Sequence, residues 1–459
     1  LASPDPARPL ERPANLTVVL VDGLNTGFVD LHFIRRAMQQ VLANIHPGDP
    51  VALYSLNNGL RVLHDFTSQP PELLEALERF QAQNSQALAA STPNTDILPP
   101  TMPHADPLLA QMMRNVDGAT ERFFVDHRVE TTVAAFETIA DHLQGMPGRK
   151  SLVWISGSFP FSFDLAGGHM AGKNYESFAD QIDRVVREFN RAGIAIYPVD
   201  ARGLIGMFDR YPSFSASSQG SGPRVKRLDT TTRDSITSTQ ATMLNLAKRT
   251  GGKAFMETND LAGAIQTAMD DARTTYVLSF SPSHNQWNGQ FREVKVRVKR
   301  PGLEVRHRTG YLALADPSTD INQRQRAIVE AGNIPLLSTG LTLQAWAGPA
   351  TEESNPLLNQ WQLAFAMDPG EISFSPNEKG EWTAVVDFLV LVRDTEGNAL
   401  HTTSRTMRKA LTDSAYQALR KNGLQMSFNL PRAFVPTVVR LVARDANTGL
   451  IGSVDIPVN

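Results

Sequence analysis

The 459-residue sequence contains no cysteine. That absence excludes disulfides, thiolate metal sites and cysteine nucleophiles. It names no compartment, because cysteine-free chains suit oxidising and reducing spaces alike. An apolar run of roughly 18 residues, the length a spanning helix needs, is also missing. So is an excess of one charge: 44 Lys and Arg stand against 47 Asp and Glu, a formal net charge of -3. That balance points neither to nucleic acid nor to an anionic membrane. The opening "LASPDPARPLERPAN" lacks an initiator Met, as expected after loss of a leader or an upstream domain. The lack of a signal peptide therefore excludes nothing, and residues 1–15 are read as a linker.

What is present is an ordinary globular composition, 41% hydrophobic and 20% charged. At about 150 residues per domain the length suggests two or three domains. The first half alternates strand and helix signals. "LTVVLVD" (Leu16–Asp22) is a continuous apolar strand, as in parallel sheets covered on both faces. Leu31, Ile34, Met38, Val41, Leu42 and Ile45 recur at helical spacing. "PVALYSL" and "LRVLHDF" read as strands separated by Asn57, Asn58 and Gly59, and "PPELLEALERF" opens a helix on proline. Residues 85–103 are rich in Ser, Pro and Asn and read as a long loop. Then come the helix "VETTVAAFETIADHLQGMPGRK", the strand "SLVWIS", a helix over 175–191, the strand "IAIYPVD", a loop at "SFSASSQGSGPRVKRLDTTT" with no apolar period, a helix, glycine stop and short strand at "MLNLAKRTGGKAF", and a helix at "LAGAIQTAMDDA". This alternation predicts a doubly wound, mostly parallel α/β sheet. "TYVLSFSP", "FREVKVRVKR" and "LEVRHRTGYL" follow without helices between them and are expected to extend one sheet edge in antiparallel fashion. From residue 316 onward strand signals dominate, with turns at "DTEGN" and "DANTG" and one short helix near 414–421. A separate C-terminal β-sandwich over 316–459 is expected.

"VVLVDGLNTG" carries the chemical question. A carboxylate, Asp22, ends a buried strand, and amide and hydroxyl groups follow. A haloacid-dehalogenase-type phosphotransfer loop needs a second carboxylate two residues on, where Leu24 stands. A metallo-phosphatase needs clustered His and Asp ligands, and His32, His46, His64 and His104 show no such pairing. A metal-ion-dependent adhesion site places alternate loop oxygens on one side of a hard cation such as Mg²⁺.

The segments "VVLVDGLNTG", "GDPVALYSLNNGLRVLHDFT", "PGRKSLVWISGSFP", "AKRTGGKAF", "TYVLSFSP" and "FREVKVRVKRPGLEVRHRTGYL", in that order, resemble the VWFA-related domain described for acidobacterial-type envelope proteins. The resemblance implies a von Willebrand factor A-like fold over 16–315, a role in binding another protein, no enzymatic activity, and a periplasmic or extracellular place in the bacterial envelope. The sandwich is taken as immunoglobulin-like on its pattern. Carried over by position, Asp22 matches the first metal ligand and Thr26 the third. Leu24 stands where a Ser is expected, Thr131 or Thr132 supplies the loop Thr, and Gly157 replaces an Asp. The implied site is degenerate and holds no cofactor or only weakly bound Mg²⁺, through Asp22 and Thr26, with Asp126 or Asp200 as substitutes. Asp22, Asn25, Thr26, Thr131, Thr132, Ser156 and Ser158 are the expected partner-binding residues.

Plainer readings stand beside these. Asp22, Asn25 and Thr26 suit capping of the following helix and satisfying loop N–H groups. Ser156 and Ser158 lack a nucleophile elbow, and Trp154 and Trp287 read as packing residues. Lys295, Arg297 and Lys299 read as the solvated face of an outer strand, and nucleic-acid binding through them is disfavoured by the near-neutral composition. The enzymatic alternative is a metal-dependent hydrolase centred on Asp22.

Overall fold

The computed structural model describes residues 15–46, 49–80, 85–90, 107–146, 149–158, 174–203, 230–271, 290–300, 302, 305–313, 321–349, 360–394, 396, 398–431 and 438–458. The chain forms two compact units. The first comprises Leu1–Phe136, Pro147–Phe280 and Glu293–Tyr311, and the second Glu137–Met146, Ser281–Arg292 and Leu312–Asn459. Among the described residues no helix is long and apolar enough to cross a membrane.

In chain order the first half runs β1 (Leu16–Asp22), α1 (Phe28–Leu42), β2 (Val51–Leu56), β3 (Leu60–Thr67), α2 (Pro70–Arg79), α3 (Gln86–Ala90), α4 (Pro107–Leu143), β4 (Lys150–Ser156), α5 (Asn174–Ala192), β5 (Ile194–Asp200), α6 (Thr230–Thr250) and α7 (Leu261–Asp271). Its sheet has the order β3-β2-β1-β4-β5. The β1–β2, β1–β4 and β4–β5 pairs are parallel, and β2–β3 is antiparallel. The near-continuous apolar strands are explained by burial on both faces. On one face Val19, Val21, Val153 and Ile155 join the α1 stripe, Leu31, Ile34, Met38, Val41, Leu42 and Ile45, together with α2 and α7. On the other face Trp154 packs edge-on against Phe136 of α4, centroids 5.2 Å apart, and Phe136 meets Phe189 of α5 at 5.5 Å.

Among the described residues this sheet has one antiparallel edge. It is β3, folded back on β2 through a turn in which Asn57 N–H donates to the Gly59 carbonyl. "TYVLSFSP" lies outside the described residues. Of "FREVKVRVKR" only β6 (Phe291–Glu293) is strand, and it pairs with β7 (Gly310–Leu312) in a separate two-stranded sheet. Lys295, Arg297, Val298 and Lys299 are all exposed. Val294 and Val296 are half-buried and Val294 N–H donates to the Thr309 carbonyl, so the alternation persists without a regular ladder. The expected loop at 85–103 contains α3, and α4 begins at Pro107, far upstream of its anticipated start. Within "SFSASSQGSGPRVKRLDTTT", Thr230–Thr232 already belong to α6; the remainder lies outside the described residues.

The rest of the second unit contains α8 (Ile321–Asn333), β8 (Leu343–Pro349), β9 (Gln360–Met367), β10 (Ser375–Pro376), β11 (Trp382–Arg393), β12 (Ala399–Leu411), α9 (Asp413–Asn422), β13 (Leu424–Pro431), β14 (Val438–Asp445) and β15 (Ile451–Pro457). One sheet runs β10-β11-β14-β15 with β12 on β11, and the other runs β13-β9-β8. Leu363, Phe365 and Phe428 of the smaller sheet share one core with Val386, Phe388, Val390 and Leu441 of the larger, so the two form a sandwich. Helix α8, which the sequence pattern did not suggest, covers the outer face. Its Ile328 and Ala331 pack on Leu389, Leu391, Val442 and Ile451. Strand β11 is therefore apolar on both faces, and its Phe388–Val392 stretch is buried throughout.

The double cover sets a test. Leu389 points away from the sandwich core, yet Leu389→Ala is expected to cost about 2–5 kcal/mol, as a core truncation does. Chemical denaturation measures it; a change within about 0.5 kcal/mol, as for an exposed site, contradicts the packing.

Candidate functional site

Side chains alternate along strands, so Asp22 of β1 shares a sheet face with Trp154 and Ser156 of β4. The register, Leu20 against Trp154 and Val21 against Ile155, brings the ends of the two strands together. Asp22 is fully buried. Trp154 Nε1–H donates to its Oδ2 at 3.0 Å, and Ser156 Oγ lies 2.9 Å from the same oxygen. The loop closes on the carboxylate from the other side. Asn25 N–H donates to Oδ1 at 3.0 Å, and Asn25 Nδ2 donates to Oδ2 at 2.9 Å. Burial pushes the Asp22 carboxyl above its ordinary value, and the hydrogen bonds from Asn25, Ser156 and Trp154 pull it back in part.

Helix α4 supplies the third wall. Arg128 and Thr132 are one turn apart and so share a helix face. Asn25 Nδ2 donates to Thr132 Oγ1 at 2.9 Å, and Thr132 Oγ1 donates to the Arg128 carbonyl at 2.8 Å. Arg128 Nε donates to Asn25 Oδ1 at 2.9 Å, and its Nη2 donates to Ser158 Oγ at 3.1 Å. Ser158 Oγ in turn donates to the Asn25 carbonyl at 2.8 Å. Burial lowers the Arg128 guanidinium to about 10, and the charge of Asp22 opposes that fall. Thr26 Oγ1 accepts from Gly157 N–H at 2.8 Å. A Cβ at Gly157 would lie 3.2 Å from Thr26 Cγ2 and 3.3 Å from Thr26 Cα, so a larger residue there crowds the loop.

Of the expected site residues, Asp22, Asn25, Thr26, Thr132, Ser156 and Ser158 meet in this one network. Asp22, Asn25, Thr26, Thr132 and Ser156 are each exposed by 1% or less. In this conformation these side chains face one another rather than solvent. Thr131 stands apart, its hydroxyl donating to the His127 carbonyl of its own helix. Asp200 is held by Arg202, Nε to Oδ1 at 2.9 Å and Nη2 to Oδ2 at 2.8 Å, and by Gln240. Asp126 is two residues from Arg128, about 200° round the helix. Of the plainer reading of Asp22, Asn25 and Thr26, the half in which these side chains satisfy loop N–H groups holds, Asp22 accepting from Asn25 N–H and Thr26 from Gly157 N–H; the helix-capping half does not. Gly27 occupies the N-cap of α1, with no side-chain hydrogen bond to the helix, because Asp22 and Asn25 turn inward. Trp287 lies outside the described residues. Arg128 and the indole donor of Trp154 are the functional groups that sequence reasoning missed.

Divalent metal does not fit this donor set. Mg²⁺ takes oxygen ligands at about 2.0–2.1 Å in near-octahedral array. Here both Asp22 oxygens face N–H donors, Thr26 Oγ1 accepts from a backbone amide, and the position between them is the buried apolar Leu24. Among the described residues no group of three or more imidazole or carboxylate side chains is placed to hold a metal ion.

No protein-family model matches the sequence, and none of the curated proteins matches it. Among solved structures the chain is similar to an aerotolerance-related membrane protein from Bacteroides fragilis, at 14% identity and a TM-score of 0.29, over 56% of this chain and 99% of that one. It is similar to BatB from Bacteroides thetaiotaomicron at 12% identity and a TM-score of 0.27, over 57% of this chain and 98% of that one. A PilB minor pilin from Streptococcus sanguinis follows at 11% identity and a TM-score of 0.28, over 57% and 61%. Likeness at this level reaches neither family nor function.

The raised Asp22 carboxyl has a signed consequence. Between its ordinary value of 3.8 and its folded value, the folded chain binds the proton better than the unfolded chain. Stability therefore falls as pH rises through that interval. Asp22→Asn is expected to remove this component, so the difference in stability between wild type and variant should depend on pH from about 4 upward. Urea denaturation across the range measures it; a difference constant with pH contradicts the assignment.

Proposed function

We propose that the chain is a non-enzymatic protein-binding or scaffold protein of the bacterial cell envelope, periplasmic or extracellular. Its first unit is read as von Willebrand factor A-like, and its partner as another protein met at the carboxyl ends of β1 and β4. One observation carries the reading: a buried polar network at the ends of β1 and β4 is followed directly by exposed apolar side chains at the start of α1.

Ligands of open α/β sheets sit where the strand order reverses. That point is β1, with β2 on one side and β4 on the other, and the polar network lies there. Directly after the loop, Phe28 and Val29 at the start of α1 are about half exposed, and Phe123 of α4 is 65% exposed. Phe123 stacks on His127 with centroids 6.5 Å apart. It lies nine residues before Thr132, about 13 Å along the helix axis. Exposed aromatic side chains on two elements beside the switch point suit a protein partner. Ser158 and Thr131, both half-buried, retain some surface for contact. The ordered sequence segments are the support for an envelope location. The hydrolase alternative needs a carboxylate that substrate and water can reach, and the burial and full hydrogen bonding of Asp22 speak against it.

The test is affinity capture from envelope extract with wild type and a Phe28→Ser/Val29→Ser/Phe123→Ser variant, followed by a phosphoesterase screen. A discrete protein retained by wild type and lost from the variant is expected, with no turnover. Equal retention by both, or phosphoester hydrolysis abolished by Asp22→Asn, overturns the reading.

A further inference from the structure

We propose that Arg128 is a built-in cation: its guanidinium takes the electrostatic role that a divalent metal would play beneath the Asp22 loop, so the site excludes Mg²⁺ and the unit holds its shape without metal.

Charge, geometry and space point the same way. Asp22 and Arg128, a carboxyl and a guanidinium of opposite charge sign, are buried at 0% and 4% exposure. They are not in direct contact. Asn25 stands between them, its amide nitrogen donating to the carboxylate and its amide oxygen accepting from Arg128 Nε. A primary amide suits this place because one end donates and the other accepts. The loop is thereby polarised in one direction, from guanidinium through amide to carboxylate. The Arg128 guanidinium also feels the carboxylate, which opposes the effect of its burial.

A divalent cation entering at Asp22 would have to expel the Asn25 amide and place two further positive charges beside a desolvated guanidinium. Repulsion in so dry a site is severe. The remaining oxygens cannot repay it. Thr26 and Thr132 are committed to Gly157 N–H and Asn25 Nδ2. Leu24 offers none, and the close approach of Gly157 to Thr26 leaves little room for a carboxylate there. The inference is independent of any partner, since it concerns only what neutralises Asp22.

The plainer alternative is that Arg128 is held by its other contacts, Ser158 among them, and contributes nothing to Asp22. A double-mutant cycle separates the two. Asp22→Asn and Arg128→Met are each expected to lower the thermal midpoint, the latter by about 10 °C, as loss of one partner of a buried pair does. Together they should cost clearly less than the sum, because neither charge is then left alone. Arg128→Lys, which keeps the charge, should retain a midpoint nearer wild type than Arg128→Met. Additive costs, or a Lys variant as damaged as the Met variant, overturn the proposal. Titration of wild type with Mg²⁺ or Mn²⁺ needs no variant and stands even where Arg128→Met does not fold. The midpoint is expected to move by less than about 1 °C at roughly 10 mM metal, since a millimolar site would raise it by several degrees. A saturable rise that Asp22→Asn abolishes overturns the proposal.

Discussion

The carboxylate of Asp22 ends a central strand with apolar layers on both faces, and every part of the rim is arranged to satisfy it. Taking such a group out of water is costly unless hydrogen bonds and charge compensate within the protein. Three elements supply them. Strand period puts Trp154 and Ser156 on the right face of β4, and the edge-on contact with Phe136 packs the indole from its far side. The loop folds Asn25 back on the strand end. Helix α4 brings Thr132 and, one turn earlier, Arg128. Close approach at Gly157 and inward rotation of Thr26 complete the closure.

Closure moves the chemistry outward. A polar floor whose donors and acceptors answer one another has little left for a substrate, a metal or water, and contributes shape and rigidity instead. On the proposed reading a protein partner meets the surface around it, the first turn of α1 and the stretch of α4 bearing Phe123. The second unit carries the same economy of surface in another form. Its longest inner strand, β11, is covered by the facing sheet on one side and by α8 on the other.

Much of this architecture is legible in the residues. The helical stripe from Leu31 to Ile45 is buried as its spacing requires, and the apolar runs at β1 and β4 lie side by side as parallel neighbours. The family resemblance implies that Asp22, Thr26 and either Thr131 or Thr132 converge, and Thr132 is the one that does. The resemblance does not foretell what answers Asp22. Arg128 precedes the segment where helical periodicity becomes plain, because Gly118 and the charges around it blur the pattern upstream. The available signal was the Arg-x-x-x-Thr spacing, which sets both side chains on one helix face. Asn25 reads as a cap, and only the packed geometry shows its amide turned between two charges. The alternating Val and Lys at 294–299 mislead in the opposite way, since a period of two cannot report whether a partner strand exists.

The account stands on Arg128, rather than a metal ion, neutralising Asp22. Crystals grown and soaked in Mn²⁺ and measured at the manganese absorption edge test that directly. The account predicts no anomalous peak within coordination distance of Asp22, and Arg128 Nε still bonded to Asn25. A manganese peak on the Asp22 oxygens, with the Arg128 side chain swung away, would contradict it.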